Sequence, residues 1–135
     1  MRNIFVLAAL VMISGCASGS GAMRCAAPAH EMGRVELLFG AALNDGTPID
    51  NRQWQDFLDR EVTPRFPSGL TAYEAYGQWQ DSNGKIEKSP SRVLVIWYGT
   101  QPDMSVRIDA VREAYKKLFK QTSVMRVDGA DCVSF

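Results

Sequence analysis

The run Val93-Leu94-Val95-Ile96-Trp97-Tyr98 constrains this chain more than any other stretch: six apolar residues in succession, held between Arg92 and Gly99. It is short for a helix and rich in β-branched and aromatic residues, so it reads as a strand from Arg92 to Tyr98. Side chains alternate across a strand, and here both sides are apolar. Such a strand belongs in the middle of a sheet. Arg34 to Gly40 shares the property through Val35, Leu37, Leu38 and Phe39, with Glu36 the exception. It too is expected to be central.

Between these two runs lies a stretch with strong local signals. Asp50 is a good N-cap, and Gln53 completes a capping box. Trp54, Phe57, Leu58 and Val62 then recur at helical spacing, predicting a helix over 51–63. Asp56 and Arg60 are placed for an i,i+4 pair. Pro64 ends the helix, and Pro67 with Gly69 makes a tight reversal. Arg65 and Glu61 sit where the reversal leaves the helix. An Arg held between prolines suits a helix-end contact with carbonyls or a carboxylate, or a fixed binding group.

Leu70 to Gln80 is a strand, with Thr71, Tyr73, Ala75, Gly77 and Trp79 on one face and Leu70, Ala72, Glu74, Tyr76 and Gln78 on the other. Asp81-Ser82-Asn83-Gly84 is a hairpin turn. Lys85 to Lys88 extends the hairpin before Pro90, where a bend or bulge is expected. After Gly99–Pro102 comes a second helix, capped by Asp103 or Ser105. Its stripe is Met104, Ile108, Val111, Tyr115, Leu118 and Phe119. Lys116, Lys117 and Lys120 crowd its last turn, where the helix dipole favours cations. Ser123 to Val127 is the fourth strand, followed by a short tail.

The order β-α-β-β-α-β, with right-handed crossovers, gives an α+β, ferredoxin-like sandwich. Its four-stranded antiparallel sheet has the order 4-1-3-2, with two helices on one face. The other face should carry Leu94, Ile96 and Tyr98, or else Val93, Val95 and Trp97. A contiguous apolar face of that kind needs a cover: a second subunit, the terminal segments or a ligand.

The N-terminus reads as a targeting segment. Arg2 supplies a positive start, and Ile4–Ile13 is an apolar run too short for a permanent span. Ile13-Ser14-Gly15-Cys16 resembles a bacterial lipobox, in which the Cys is acylated and becomes the mature N-terminus. The expected division is a signal peptide at 1–15, a tether at 16–24 and one domain at 25–135. Ala17 follows the Cys where proteobacterial lipoproteins retained at the inner membrane usually carry Asp, so the resemblance implies the outer membrane, facing the periplasm. Losing Arg2 with the leader leaves a net charge of −1. Neither anionic lipid nor nucleic acid is then an electrostatic partner. Removing Cys16 from the three cysteines leaves Cys25 and Cys132. In an exported protein an even pair reads as a disulfide, worth about 4–5 kcal/mol in the chain-entropy model. A metal site from Cys25, His30 and Cys132 is the alternative, with His30 otherwise an entry-loop residue and no fourth ligand evident.

Several segments together resemble the domain-of-unknown-function family 3574 (DUF3574). They are Val62-Thr63-Pro64-Arg65-Phe66-Pro67-Ser68-Gly69-Leu70, Gly77-Gln78-Trp79, Pro90-Ser91-Arg92-Val93, Tyr115-Lys116 through Phe119, and Gln121-Thr122-Ser123-Val124. The resemblance runs from about Cys25 to Phe135. Members look like short exported proteins, often lipoproteins, with a Cys near each end of the domain. The resemblance implies kinship and no particular activity.

The candidate binding residues are Glu61, Arg65, Glu74, Trp79 and Arg92, with Gln78 and Asp81 beside them. Arg65 and Arg92 have the fork geometry to clamp a carboxylate or phosphate. Glu61 or Glu74 would serve as a general base if buried. No Ser-His-Asp set, phosphate loop or metal motif is found. The expectation is therefore a non-catalytic envelope lipoprotein, a small binding or interaction module without cofactor, with a homodimer through the open sheet face as one arrangement. The alternative is a small dimeric α+β-barrel enzyme acting on a hydrophobic or aromatic molecule in a sheet-face cavity. Acyl chains bind a bilayer at ~0.8 kcal/mol per buried CH₂. Cys16→Ser is accordingly expected to move the protein from the detergent-extracted membrane fraction to the soluble fraction, read by fractionation and immunoblotting.

Overall fold

The computed structural model describes residues 24–99 and 101–135. The leader, Cys16 and nearly all of the tether lie outside the described residues. Six principal elements follow one another: β1 (His30–Gly40), α1 (Asn51–Phe57), β2 (Thr71–Gln80), β3 (Ile86–Tyr98), α2 (Met104–Phe119) and β4 (Met125–Val133). The sheet is antiparallel throughout, in the order β2-β3-β1-β4. This is the expected 4-1-3-2 order read from the other edge, with the two doubly apolar strands in the middle. Among the described residues no helix is long and apolar enough to cross a membrane.

Register decides the two faces. Val35 pairs with Ile96, Leu37 with Leu94 and Phe39 with Arg92, and these side chains face the helices. The opposite face carries Val93, Val95 and Trp97, the second of the two expected sets. Between sheet and helices lies an aromatic cluster. The Tyr115 ring centroid is 4.6 Å from Phe39, 5.0 Å from Phe57 and 4.6 Å from Phe119, mostly edge to face. The Tyr115 hydroxyl donates to the Gly40 carbonyl at 2.7 Å. The side of α2 that does this is the predicted stripe with one correction. Leu118 is 57% exposed and takes no part. From Tyr115 to Leu118 is nearly a full turn, but Phe119 already fills the core position beneath the stripe.

Several strand and helix boundaries differ from expectation. β1 begins at His30, not Arg34, so His30 is no loop residue; it pairs with Val133. β4 correspondingly runs to Val133, and the predicted tail around Cys132 is strand. The two extensions form one ladder of polar and small residues, which has no hydrophobic period to reveal it. Cys25 and Cys132 are joined as a disulfide at that end, with Cα atoms 5.4 Å apart. With the thiols bonded to each other, the Cys25–His30–Cys132 metal alternative falls. β3 is one strand of 13 residues. Pro90 causes no bulge: it pairs in register with Tyr76, and its carbonyl accepts from Ala41 N–H. β1 ends opposite Ser91, so the missing proline donor faces no ladder partner.

The first helix keeps its predicted start. Asp50 accepts from Gln53 N–H and Gln53 returns a bond to Asp50 N–H. It does not stay α-helical to residue 63. From Leu58 to Val62 it widens into a π-turn, with Thr63 N–H donating to Leu58 C=O. Pro64 has no N–H to continue an α ladder. No ion pair joins Asp56 to Arg60 among the described residues; the i,i+4 bond made here is from Gln55 to Asp59. The Glu61 carbonyl is bonded by the Arg65 guanidinium, which also meets the Glu61 carboxylate at 3.0 Å. The second helix is not capped by a side chain. Asp103 precedes it but spends its carboxylate on Arg107.

Two measurements check this packing. Burial pushes the Tyr115 hydroxyl up to about 12, with the Arg92 charge acting in the opposite sense. The unfolded phenol ionises near pH 10. Its stabilisation is therefore intact below about pH 10 and lost as pH rises towards about 12, a change of about 2–3 kcal/mol. Tyr115→Phe is expected to remove that pH-dependent loss while costing about 1 kcal/mol at neutral pH, read by urea unfolding at stepped pH. Arg65→Ala is expected to destabilise by about 1 kcal/mol, the low end for a charged hydrogen bond because the side chain is partly solvated. Glu61→Ala should cost less, since the carbonyl bond survives.

Candidate functional site

The five candidate binding residues do not form one site. Glu61 and Arg65 bind each other at the helix end. Trp79 projects from the open sheet face near the tip of the β2–β3 hairpin, half exposed, opposite Glu87. Glu74 and Arg92 are direct partners across β2 and β3 and share the helix-facing side. Gln78 and Asp81 stay with the hairpin, where the Asp81 carboxylate accepts from Asn83 and Lys85 N–H.

Arg92 is the buried charge of this fold, only 6% exposed. Its place follows from its register: opposite Phe39 on one side and Glu74 on the other, beneath α1. Its Nη2 donates to the Ile49 carbonyl at 3.0 Å and to Asn51 Oδ1 at 2.8 Å. Its guanidinium carbon lies 5.2 Å from the centre of the Trp54 ring, in reach of a cation–π contact. The capping box fixes the loop that supplies Ile49 and Asn51. Arg92 thus fastens the start of α1 to the sheet. Its Nη1 is buried, with no hydrogen-bond partner among the described residues. Arg92 also lines a cavity of about 160 Å³ with Ala41, Pro48, Glu74, Tyr76 and Ser91.

A second cleft, of about 190 Å³, lies at the other end of the sheet between Arg65, Phe66, Trp97, Tyr98, Met104 and Arg107. Its cations are occupied: Arg65 by Glu61 and Arg107 by Asp103. Arg107 also reaches the Arg65 carbonyl. No sequence signal marks this cleft, because it joins two loops and a helix start that are far apart in the chain. Among the described residues no group of three or more His, Cys, Asp or Glu is placed to hold a metal.

The face of the sheet away from the helices is the remaining surface with distinctive chemistry. Tyr73, Trp79, Trp97, Met125 and Val127 are exposed there, around the buried Val93 and Val95. On the interior strand β1 Arg34 pairs with Glu36, which stands on this face between Val95 and Val127, and Asp131 meets Arg34 and accepts from the Trp97 indole at 3.0 Å.

Comparison with solved structures finds this fold in a phage SAM lyase. The enzyme in complex with S-methyl-5'-thioadenosine is similar with a TM-score of 0.56 and 13% sequence identity, covering 84% of this chain and 97% of the lyase. The apo lyase gives a TM-score of 0.54 and 12% identity, covering 85% and 98%. At that identity the likeness is one of fold. No curated protein matches the sequence. A family model does match, over residues 34–135, and its description is "Protein of unknown function (DUF3574)". The match takes in both interior strands, both helices and the Arg92 niche, and the chain belongs to that family.

Proposed function

We propose that this protein is a lipid-anchored envelope module that works without catalysis, through the open face of its sheet. The observation that carries this reading is the set of large apolar side chains on that face: Tyr73, Trp79, Trp97, Met125 and Val127 stand exposed on it, around the internally paired Arg34 and Glu36. The lipobox at Cys16 supports attachment to the bilayer. A small-residue tether would hold the domain near the surface.

A second copy of the chain is the occupant we favour. Four strands at ~4.8 Å spacing and about 30 Å of length offer roughly 600 Å² per copy. That is below the roughly 800 Å² per partner of standard stable complexes, and it suits a reversible dimer. Anchoring in one membrane raises the local concentration and offsets the small area. The Arg34–Glu36 pair within the face is closed inside each copy, so it presents little net field against a second one.

The second reading is the dimeric α+β enzyme with a small aromatic ligand against the sheet. The likeness of fold to the lyase bound to S-methyl-5'-thioadenosine favours it. Against it, Glu74 is exposed, and the space between sheet and helices is filled by Phe39, Trp54, Phe57, Tyr115 and Phe119.

Sedimentation equilibrium of the detergent-solubilised protein should give a concentration-dependent dimer. Charging the half-exposed edge of the face with Met125→Lys and Val127→Lys should weaken it at least tenfold without loss of fold. A monomer at all concentrations would overturn the reading. Binding of S-methyl-5'-thioadenosine by calorimetry, with its turnover, would move the conclusion to the enzyme.

A further inference from the structure

We propose that the outer edge of β2 pairs with the same edge of a second copy, antiparallel and centred on Tyr76, so that two four-stranded sheets join into one. This contact is separate from the sheet-face association proposed above, and neither needs the other.

The starting point is which backbone groups stand free. β2 is an outer strand, paired on one side with β3. Along an antiparallel strand, the N–H and C=O of successive residues point to alternate sides. The Pro90 carbonyl accepts from Ala41 N–H, on the β1 side, and Pro90 stands opposite Tyr76. Pro90 therefore offers Tyr76 nothing, and the N–H and C=O of Tyr76 point outward. By the same alternation so do those of Ala72, Glu74, Gln78 and Gln80. Asp81 has the other parity, and its N–H donates inward to the Lys85 carbonyl across the hairpin.

The second observation is that this edge is not guarded. Sheets blunt their free edges with charges, proline, bulges or covering segments. β2 runs for 10 residues without proline, and Glu74 is its one charge. It follows β3 without a bulge. Tyr73, Tyr76 and Trp79 are 48%, 84% and 53% exposed, Tyr76 on one face and the other two on the opposite one. The other outer strand, β4, is treated differently. Arg126 binds Asp128 there and reaches Ser105 and Asp109 of α2, and the disulfide closes the strand's far end. Of the two edges, β2 is the one left open as a template for another strand.

The third observation selects the partner. Outward residues must stand opposite outward residues. With Tyr76 on a two-fold axis, Glu74 falls opposite Gln78, Ala72 opposite Gln80, Ala75 opposite Gly77 and Tyr73 opposite Trp79. The single charge then meets an amide that can donate to it, never a second carboxylate. The Tyr73–Trp79 pair occurs twice by symmetry, on the open face, and aromatic cross-strand pairs are favourable. Centring on Glu74 would set like charges against each other. Centring on Ala75 would set Tyr73 against Gly77 and Trp79 against Thr71. The strand is thus its own complement in one register, as a two-fold contact requires.

Size sets the strength. At roughly 150–250 Å² for a whole aromatic side chain, the exposed parts of Tyr73, Tyr76 and Trp79 offer about 300–450 Å² per copy. That is well under the roughly 800 Å² of a standard complex, so the edge is the weaker of the two contacts. It also places two open faces of roughly 600 Å² side by side, about 1,200 Å² in all. Edge and face together therefore build a tetramer with two-fold symmetry at each contact.

Sedimentation of the full chain in detergent tests this. Wild type should pass from dimer to tetramer as concentration rises. Gln78→Pro removes an outward N–H, leaves the ladder to β3 intact, and should stop the series at dimer. Should that variant fail to fold, Tyr76→Lys at an exposed position should do the same by setting two lysines together on the axis. Met125→Lys with Val127→Lys should leave a residual dimer, at least tenfold weaker, which the addition of Gln78→Pro abolishes. Under a mild oxidant Tyr76→Cys should cross-link to its own copy, and Glu74→Cys at least tenfold more slowly. The proposal is overturned if Gln78→Pro and Tyr76→Lys leave every species as in wild type, or if Glu74→Cys cross-links as readily as Tyr76→Cys. It is also overturned if β2 takes up an added extended peptide and never a second copy. A wild-type dimer lost in Gln78→Pro but unmoved by the two lysines would uphold the edge and overturn the face.

Discussion

The contact of Tyr115 with Phe39 holds the two layers of this protein together. One ring belongs to α2 and the other to the central strand β1, and their centroids are 4.6 Å apart. Phe57 and Trp54 from α1 pack on the same pair, so each helix is located by reference to one strand. The Tyr115 hydroxyl then closes on the Gly40 carbonyl where β1 ends. Edge-to-face rings fix orientation as well as distance. A core built of aliphatic side chains alone would bury similar area with less control over the angle of α1 to the sheet. That angle matters because it sets where the start of α1 falls.

At that start stands Arg92. A charge at the margin of an aromatic cluster is unusual, and its surroundings explain how it is tolerated. The Trp54 face, the Ile49 carbonyl and the Asn51 amide share one half of the guanidinium. Each is neutral, so the positive charge itself stays uncompensated. Replacing such a group by an apolar side chain of similar length often stabilises a fold.

The two faces of the sheet divide the work. Towards the helices, register brings Val35, Leu37, Phe39, Leu94 and Ile96 into one buried layer, and the helices cover it. Away from them, Val93 and Val95 are flanked by neighbours on the same face, Val93 by Tyr73 and Leu38 and Val95 by Thr71 and Glu36 across the ladders. Period-two alternation in a strand apolar throughout makes a second hydrophobic surface unavoidable once the first is packed. The disulfide ties the polar extension of β1 and β4 at the far end, where no hydrophobic layer would hold it.

Much of this was legible in the residues. Asp50 and Gln53 mark the first helix start through bonds made within four residues. The doubly apolar runs at 35–39 and 93–98 name the central strands, because only an interior position buries both faces. Cys25 and Cys132, the even pair that remains once Cys16 is set aside, are joined as that count suggested. Local chemistry and hydrophobic period are short-range properties, and a sequence displays them directly. The failures are of another kind. The extension of β1 back to His30 and of β4 on to Val133 depends on pairing between segments about a hundred residues apart. The π-turn at Leu58–Val62 reflects how Pro64 and Arg65 close the helix end in three dimensions. Above all, Arg92 read as one of two possible anion clamps, with nothing to separate it from Arg65. Tertiary structure separated them: Arg65 folds back on Glu61, four residues away, whereas Arg92 is buried and bonds to Ile49 and Asn51, brought to it from a distant part of the chain. Burial and the absence of a partner are properties of the assembled chain, and no spacing along the sequence encodes them.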